Sequence, residues 1–197
     1  MTMTTTNPVP DRSSAAPEAV SSPFALVVVE SSFGNTRAVA EAIRDGIATH
    51  TPAVLVDVGD APSRLPEAVD LLVVGGPTQA FGMSRPETRK DAVERGAALA
   101  DPQTGLREWI AGLSSEGNRP PVVTFDTRTK HRWVPGSAAA QASAALAERG
   151  FPSAGARTSF RVDDIPGPLL PGELERAHEW GVRLGDQAAL RRRLHPR

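Results

Sequence analysis

The sequence predicts a three-layer α/β domain: a five-stranded parallel β-sheet of order 2-1-3-4-5 with helices on both faces. Three observations predict it. Short apolar runs recur along the chain, continuous rather than alternating, which marks strands buried on both faces. Helical patterns, with apolar residues three and four apart, separate these runs. Strand–helix–strand units close through right-handed crossovers, so the sheet is parallel and covered on both sides. Five strands in about 170 residues favour the order 2-1-3-4-5 over the dinucleotide-binding order, and place a ligand beyond the carboxyl ends of strands 1 and 3.

Taken in chain order, Phe24-Ala25-Leu26-Val27-Val28-Val29 is the first strand. Residues 35–49 form a helix with Val39, Ile43 and Ile47 on one face. Ala53-Val54-Leu55-Val56-Asp57 is the second strand, and the Pro-containing connector 59–69 has room for a reduced helix. Leu71-Leu72-Val73-Val74 is the third strand, ending in Gly75-Gly76-Pro77. Ser84 and Glu87 have capping-box spacing around Pro86, which starts a helix running to about Ala100. Leu106, Trp109, Ile110 and Leu113 resume helical spacing after Asp101-Pro102. Pro121 to Phe125 is the fourth strand, residues 137–149 an Ala-rich helix, and Thr158 to Val162 the fifth strand. The last helix runs from Glu173 to about Arg193, and Trp109 and Trp180 read as core or helix-surface residues.

Composition narrows the function. Of 197 residues, 40% are hydrophobic and 23% charged, the balance of a globular chain. With no cysteine, a disulfide framework, a zinc–thiolate site, an iron–sulfur cluster and a cysteine nucleophile are excluded. A net charge of −1 argues against a nucleic-acid partner, and no apolar run is long enough for a membrane span. Residues 1–22 are rich in Thr, Ser, Pro and Ala, and read as a disordered tail without an export signal. The domain is then 23–190, residues 191–197 are a basic tail, and the expected location is cytoplasmic. No metal site is expected: His178-Glu179 lacks the second histidine of a zinc motif. No G-x-S-x-G elbow supports serine hydrolase chemistry.

The loop after the first strand reads Glu30-Ser31-Ser32-Phe33-Gly34-Asn35-Thr36, and a helix follows at once. A helix N-terminus leaves backbone N–H groups unpaired and carries partial positive charge. Those amides, with the hydroxyls of Ser31, Ser32 and Thr36, can hold a phosphate without a lysine, and Gly34 lets the backbone approach it. The loop matches neither G-x-x-x-x-G-K-[ST] nor G-x-G-x-x-G, which disfavours a triphosphatase and the dinucleotide fingerprint. The same residues also suit a plain helix cap by Asn35 or Thr36.

The stretch 27–42 resembles the flavodoxin family, whose first loop has the form S/T-x-x-G-N-T. The second loop, Gly75-Gly76-Pro77-Thr78-Gln79-Ala80-Phe81-Gly82, is similar to that of the same family, and the likeness covers about residues 24–185. The resemblance implies bound flavin mononucleotide (FMN), with its phosphate on Ser31, Ser32, Gly34, Asn35 and Thr36, and with Phe33 of the same loop also among the cofactor-binding residues. Its ring would lie between the second loop (Pro77, Thr78, Gln79, Ala80, Phe81, Gly82) and a third (Asp126, Thr127, Arg128, Trp133). Phe81 and Trp133 are the candidate aromatic covers. Gly82 is the residue expected to let a loop peptide reorient beside the ring.

The third loop departs from the family. Where flavodoxins carry glycines, an acid and a tyrosine, this chain has Asp126-Thr127-Arg128-Thr129-Lys130-His131-Arg132-Trp133. Positive charge at Arg128, Lys130 and Arg132 would favour an anionic reduced flavin and a less negative potential. Asp126 can cap the loop, pair with Arg128, or meet the ring through its backbone. The resemblance implies electron transfer to a redox partner protein, with no catalytic side chain. An NAD(P)H-dependent quinone or flavin reductase, and a flavin-free interaction protein of the same fold, are the alternatives.

Overall fold

The computed structural model describes residues 22–98, 102–131, 135–155 and 157–194. The expected disordered tail thus lies almost wholly outside the described residues, as do Arg132, Trp133 and residues 195–197. The element order is β1 (Phe24–Val29), α1 (Asn35–Ala48), β2 (Ala53–Asp57), β3 (Val69–Pro77), α2 (Pro86–Glu94), α3 (Leu106–Gly112), β4 (Val122–Thr129), α4 (Ala138–Glu148), β5 (Thr158–Val162) and α5 (Glu173–Leu194). The five strands form one sheet in the order β2-β1-β3-β4-β5, and each neighbouring pair is parallel.

Alternation along the buried strands divides the core in two. Leu26, Val28, Leu72, Val74 and Val122 face Leu106, Trp109 and Ile110 of α3 and Ala138, Ala142 and Leu146 of α4. Ala25, Val27, Leu71, Val73, Val123 and Phe125 face Val39, Ile43 and Ile47 of α1 and Ala177, Leu184 and Ala188 of α5. Strand β1 is buried throughout because it lies inside the sheet, whereas the edge strand β2 is only part-buried. Glycines bring α1 and α5 together at backbone distance. A Cβ on Gly46 would lie 2.2 Å from the His178 carbonyl oxygen, and one on Gly181 2.2 Å from that of Ile43. Trp109 is buried and donates to the Pro62 carbonyl, and Trp180 packs edge-on against Phe125.

Several boundaries differ from those expected, each for a physical reason. The 59–69 connector has no α-helix, only a 3-10 turn at Val58–Asp60 ahead of Pro62 and Pro66. Helix α2 starts at Pro86, with no capping box between Ser84 and Glu87. Instead Thr88 Oγ1 accepts from the Arg85 amide at 2.9 Å, and the Ser84 hydroxyl is drawn inward to Arg89 Nη1 at 2.7 Å. The helix stops at Glu94, short of Ala100.

Strand β4 runs four residues beyond Phe125, because Phe125 to Thr129 pair with Thr158 to Val162 of β5. The expected third loop is therefore strand as far as Thr129. Helix α5 carries Arg191, Arg192 and Arg193 and ends at Leu194, close to the expected Arg193. Arg192 pairs with Asp70 at 2.7 Å, which fastens that part of the expected basic tail.

Candidate functional site

The carboxyl ends of β1, β3 and β4 bring the first loop, the second loop and the end of β4 to one edge of the sheet. Gly34 caps α1 in the left-handed region, at φ +85° and ψ −23°. Among the described residues nothing accepts from the amides of Ser32, Phe33, Gly34, Asn35 or Thr36. The loop's side chains are already oriented. Ser31 Oγ accepts from the Arg37 amide at 3.2 Å. Ser32, buried, accepts from Gln79 Nε2 at 3.0 Å, which leaves its hydroxyl proton to donate elsewhere. Thr36 Oγ1, also buried, lies 2.7 Å from Thr127 Oγ1. Asn35 caps nothing; its side-chain Nδ2 donates to the Pro166 carbonyl. The cap is Gly34, so the simple helix-cap reading of Asn35 or Thr36 does not hold.

Pro77 ends β3, and the Thr78 amide donates to the Thr127 carbonyl at 2.8 Å. Gln79 and Gly82 exchange amide–carbonyl bonds of 2.9 and 3.0 Å across a tight turn. Its two central residues, Ala80 and Phe81, have φ of +43° and +72°, a conformation that costs non-glycine residues free energy. The unusual backbone therefore sits at Ala80 and Phe81, not at Gly82. Gly82 is required by space: a Cβ there would come within 2.2 Å of the Gln141 side-chain amide. Gln141, on α4, accepts from the Met83 amide at 3.0 Å and so holds the turn from behind. Phe81 itself is 58% exposed, which suits a flat cover more than a buried anchor.

Asp126 is fully buried in β4. One oxygen, Oδ2, accepts from Thr78 Oγ1 (2.9 Å), Ser137 Oγ (2.5 Å) and the Ala139 amide (3.1 Å); Oδ1 has no partner among the described residues. Of its three anticipated roles the side chain takes a capping one, tying the second loop to the start of α4. Lys130 pairs with Asp163, which offsets one of the three charges expected to act on a ring. Trp133 cannot be placed, since it lies outside the described residues.

Two clefts flank the first loop, and a small gap of about 50 Å³ adjoins it. A cleft of about 360 Å³ is bounded by Phe33, residues 78–81, Arg95, Arg128, Thr129 and Ile165. A larger one, of about 1000 Å³, opens on the β2 side and is bounded by residues 31–34, Arg37, residues 57–60 and Arg95. Amides and hydroxyls at the joint suit an anion, and the smaller cleft suits a flat, largely apolar group.

Some of these residues were missed in the sequence. Ile165, Pro166 and Gly167 follow β5 and close over the first loop; a Cβ on Gly167 would lie 2.5 Å from Asn35 Nδ2. Their signal was available: a Pro/Gly-rich run just past the carboxyl end of a strand. No comparable signal existed for the cluster under the first loop. Glu30 is buried there, with Oε2 accepting from the Leu106 amide at 2.8 Å. Burial raises its pKa above the ordinary carboxylate value, against smaller opposing effects from Ser84, Leu106 and Arg89. Arg89, fully buried, answers Ser84, the Gln103 carbonyl and Glu108.

No family model and no curated protein matches the chain. Solved structures do. A flavodoxin from the domain Archaea is 16% identical with a TM-score of 0.55, over 83% of this chain and 97% of that one. Oxidised flavodoxin 1 from Bacillus cereus is 16% identical with a TM-score of 0.56, over 86% and 98%. A diflavin flavoprotein A3 from Nostoc sp. is 18% identical with a TM-score of 0.52, over 88% and 97%. The chain has the flavodoxin-like fold that its first two loops suggested. No helix of the described residues is long and apolar enough to cross a membrane.

Proposed function

We propose that this flavodoxin-like chain binds FMN and transfers electrons through it. The observation that carries the reading is the first loop: five consecutive amides, from Ser32 to Thr36, take no partner among the described residues at a helix N-terminus capped by Gly34. That donor set fits a terminal phosphate, which needs several N–H groups and a favourable helix dipole but no lysine. The 360 Å³ cleft beside it, with Phe33 and Phe81 on its walls, fits the flavin ring. Bound there, FMN would supply the redox chemistry; the chain's residues bind, orient and shield it. Ser32 and Thr36 would face the phosphate, and the peptides of residues 78–82 would border the ring. The neighbours named flavodoxin give the reading independent support.

Adding FMN to flavin-free protein and following quenching of its fluorescence tests the reading. The expected result is saturation at one FMN per chain, weakened by Ser32→Ala with Thr36→Ala by about 1.5–3 kcal/mol for each charge-assisted hydrogen bond lost. A chain that binds no FMN would overturn the reading and support a flavin-free interaction protein.

A further inference from the structure

We propose that the large cleft on the β2 side of the first loop binds an adenosine 5′-phosphate group, the far half of a dinucleotide. The inference rests on the flavin reading, because it places the near half of that ligand at or beside the flavin site. Size is the first argument. The cleft of about 1000 Å³ shares Ser31 to Gly34 with the phosphate loop, so a phosphate there takes only part of it and the space towards residues 57–60 stays open. A volume of that size is the upper end of the range for small-molecule sites, far more than a phosphate fills.

Continuity is the second. Phe33 and Arg95 line both clefts, so a ligand can run from one to the other past a cation. Arg95 makes no ion pair among the described residues, and it suits a phosphate bridge. The third argument is the acid at the tip of β2. Asp57 pairs in register with Val29, the last residue of β1, and stands about 20 residues beyond the first loop, where ribose-binding acids stand in dinucleotide sites. The loop lacks the glycine fingerprint, so position and not motif carries this step. Asp57 is held by Arg37 at 2.6 Å, but both side chains are about half exposed, so the pair is weak and a ligand can divide it. Carboxylate to ribose hydroxyls and guanidinium to phosphate is the exchange that results. Finally, Gly59 lines the cleft, and a Cβ there would meet nothing within 4 Å.

The test is calorimetric titration of ADP-ribose into the FMN-loaded protein, with a parallel comparison of FAD and FMN affinities for the flavin-free protein. Saturable binding of ADP-ribose, weakened about tenfold by Arg95→Ala and at least as much by Gly59→Trp, is expected. If ADP-ribose binds alongside FMN, the adenylate belongs to a separate dinucleotide such as a nicotinamide cofactor. If FAD binds at least tenfold tighter than FMN and Gly59→Trp abolishes the difference, it belongs to the flavin itself. Either result supports the site. No saturation by ADP-ribose in the millimolar range together with FAD no tighter than FMN overturns it, as does binding that Gly59→Trp leaves unchanged. Should the chain bind ADP-ribose but not FMN, the flavin reading fails and the adenylate site stands.

Discussion

Replacing Gly34 by alanine separates what the first loop does for the fold from what it does for a ligand. Gly34 has φ +85°, and a Cβ built there meets nothing within 4 Å. In the ligand-free chain the methyl group therefore has no steric clash, and the cost is backbone alone. The left-handed region costs a non-glycine residue about 1–2 kcal/mol. Against this, alanine gains about 0.4–1 kcal/mol by restricting the unfolded chain. The net loss should be about 0.5–1.5 kcal/mol, a fall in Tm of a few degrees at about 2–4 °C per kcal/mol for a domain of this size. Urea unfolding of the flavin-free protein measures it. Affinity for FMN, followed by fluorescence quenching, should fall further than stability does, because the methyl group stands in the opening where the phosphate is proposed to lie. Gly34→Asn sharpens the comparison. Asparagine enters the left-handed region more readily, so stability should largely return while affinity stays low. A Gly34→Ala protein that binds FMN as tightly as its parent would refute the placement of the phosphate.

Two more outcomes follow from the site's geometry. Phe81→Gly should leave stability within about 1 kcal/mol of the parent in urea unfolding, since the ring is 58% exposed and glycine accepts φ +72° without strain. It should nevertheless weaken FMN binding about three- to tenfold, on the scale of about 0.5–1.5 kcal/mol for one aromatic contact; equal affinity would remove Phe81 from the ring. Glu30→Gln should show a pH signature. Burial raises the Glu30 pKa above 4.5, so its folding contribution is fully present below the ordinary carboxylate value and is lost as pH rises through the raised one. Urea unfolding between pH 4.5 and 8 should find wild type losing stability relative to the variant as pH rises; the opposite slope would mean that pairing with Arg89 outweighs burial.

Much of the fold was legible because its strands announce themselves by composition. Phe24–Val29, Ala53–Asp57 and Thr158–Val162 lie where the apolar and β-branched runs put them. The failures share a cause: polar residues whose burial depends on tertiary partners. Asp126 and Thr127 read as loop because Asp126, Arg128 and Lys130 break the apolar run, although Thr127 and Thr129 themselves favour strand. In the fold β5 pairs with them, and Thr78, Ser137 and Ala139 all donate to one oxygen of the Asp126 carboxylate. Ser84 read as a cap because only its spacing to Glu87 was visible, while its actual partner, Arg89, is made attractive by burial. Glu30 gave no signal, since its amide partner at Leu106 lies 76 residues away.

The polar residues that sequence reasoning grouped as separate phosphate and ring loops turn out to be one network. Ser32 meets Gln79, Thr36 meets Thr127, Thr127 receives the Thr78 amide, and Thr78 reaches Asp126. Each of these contacts fixes a hydroxyl or peptide before any ligand arrives, so the ordering cost falls on folding instead of on binding. The same economy explains the turn at Ala80 and Phe81. A strained backbone persists only where its surroundings over-determine it. Here Gln141 holds the Met83 amide, and Gly136 offers no Cβ to the Phe81 carbonyl, which would stand 1.9 Å from one. Helix α4, remote from the first loop in sequence, therefore sets the geometry of the 360 Å³ cleft, and through Thr78 and Thr127 that geometry is tied to the first loop.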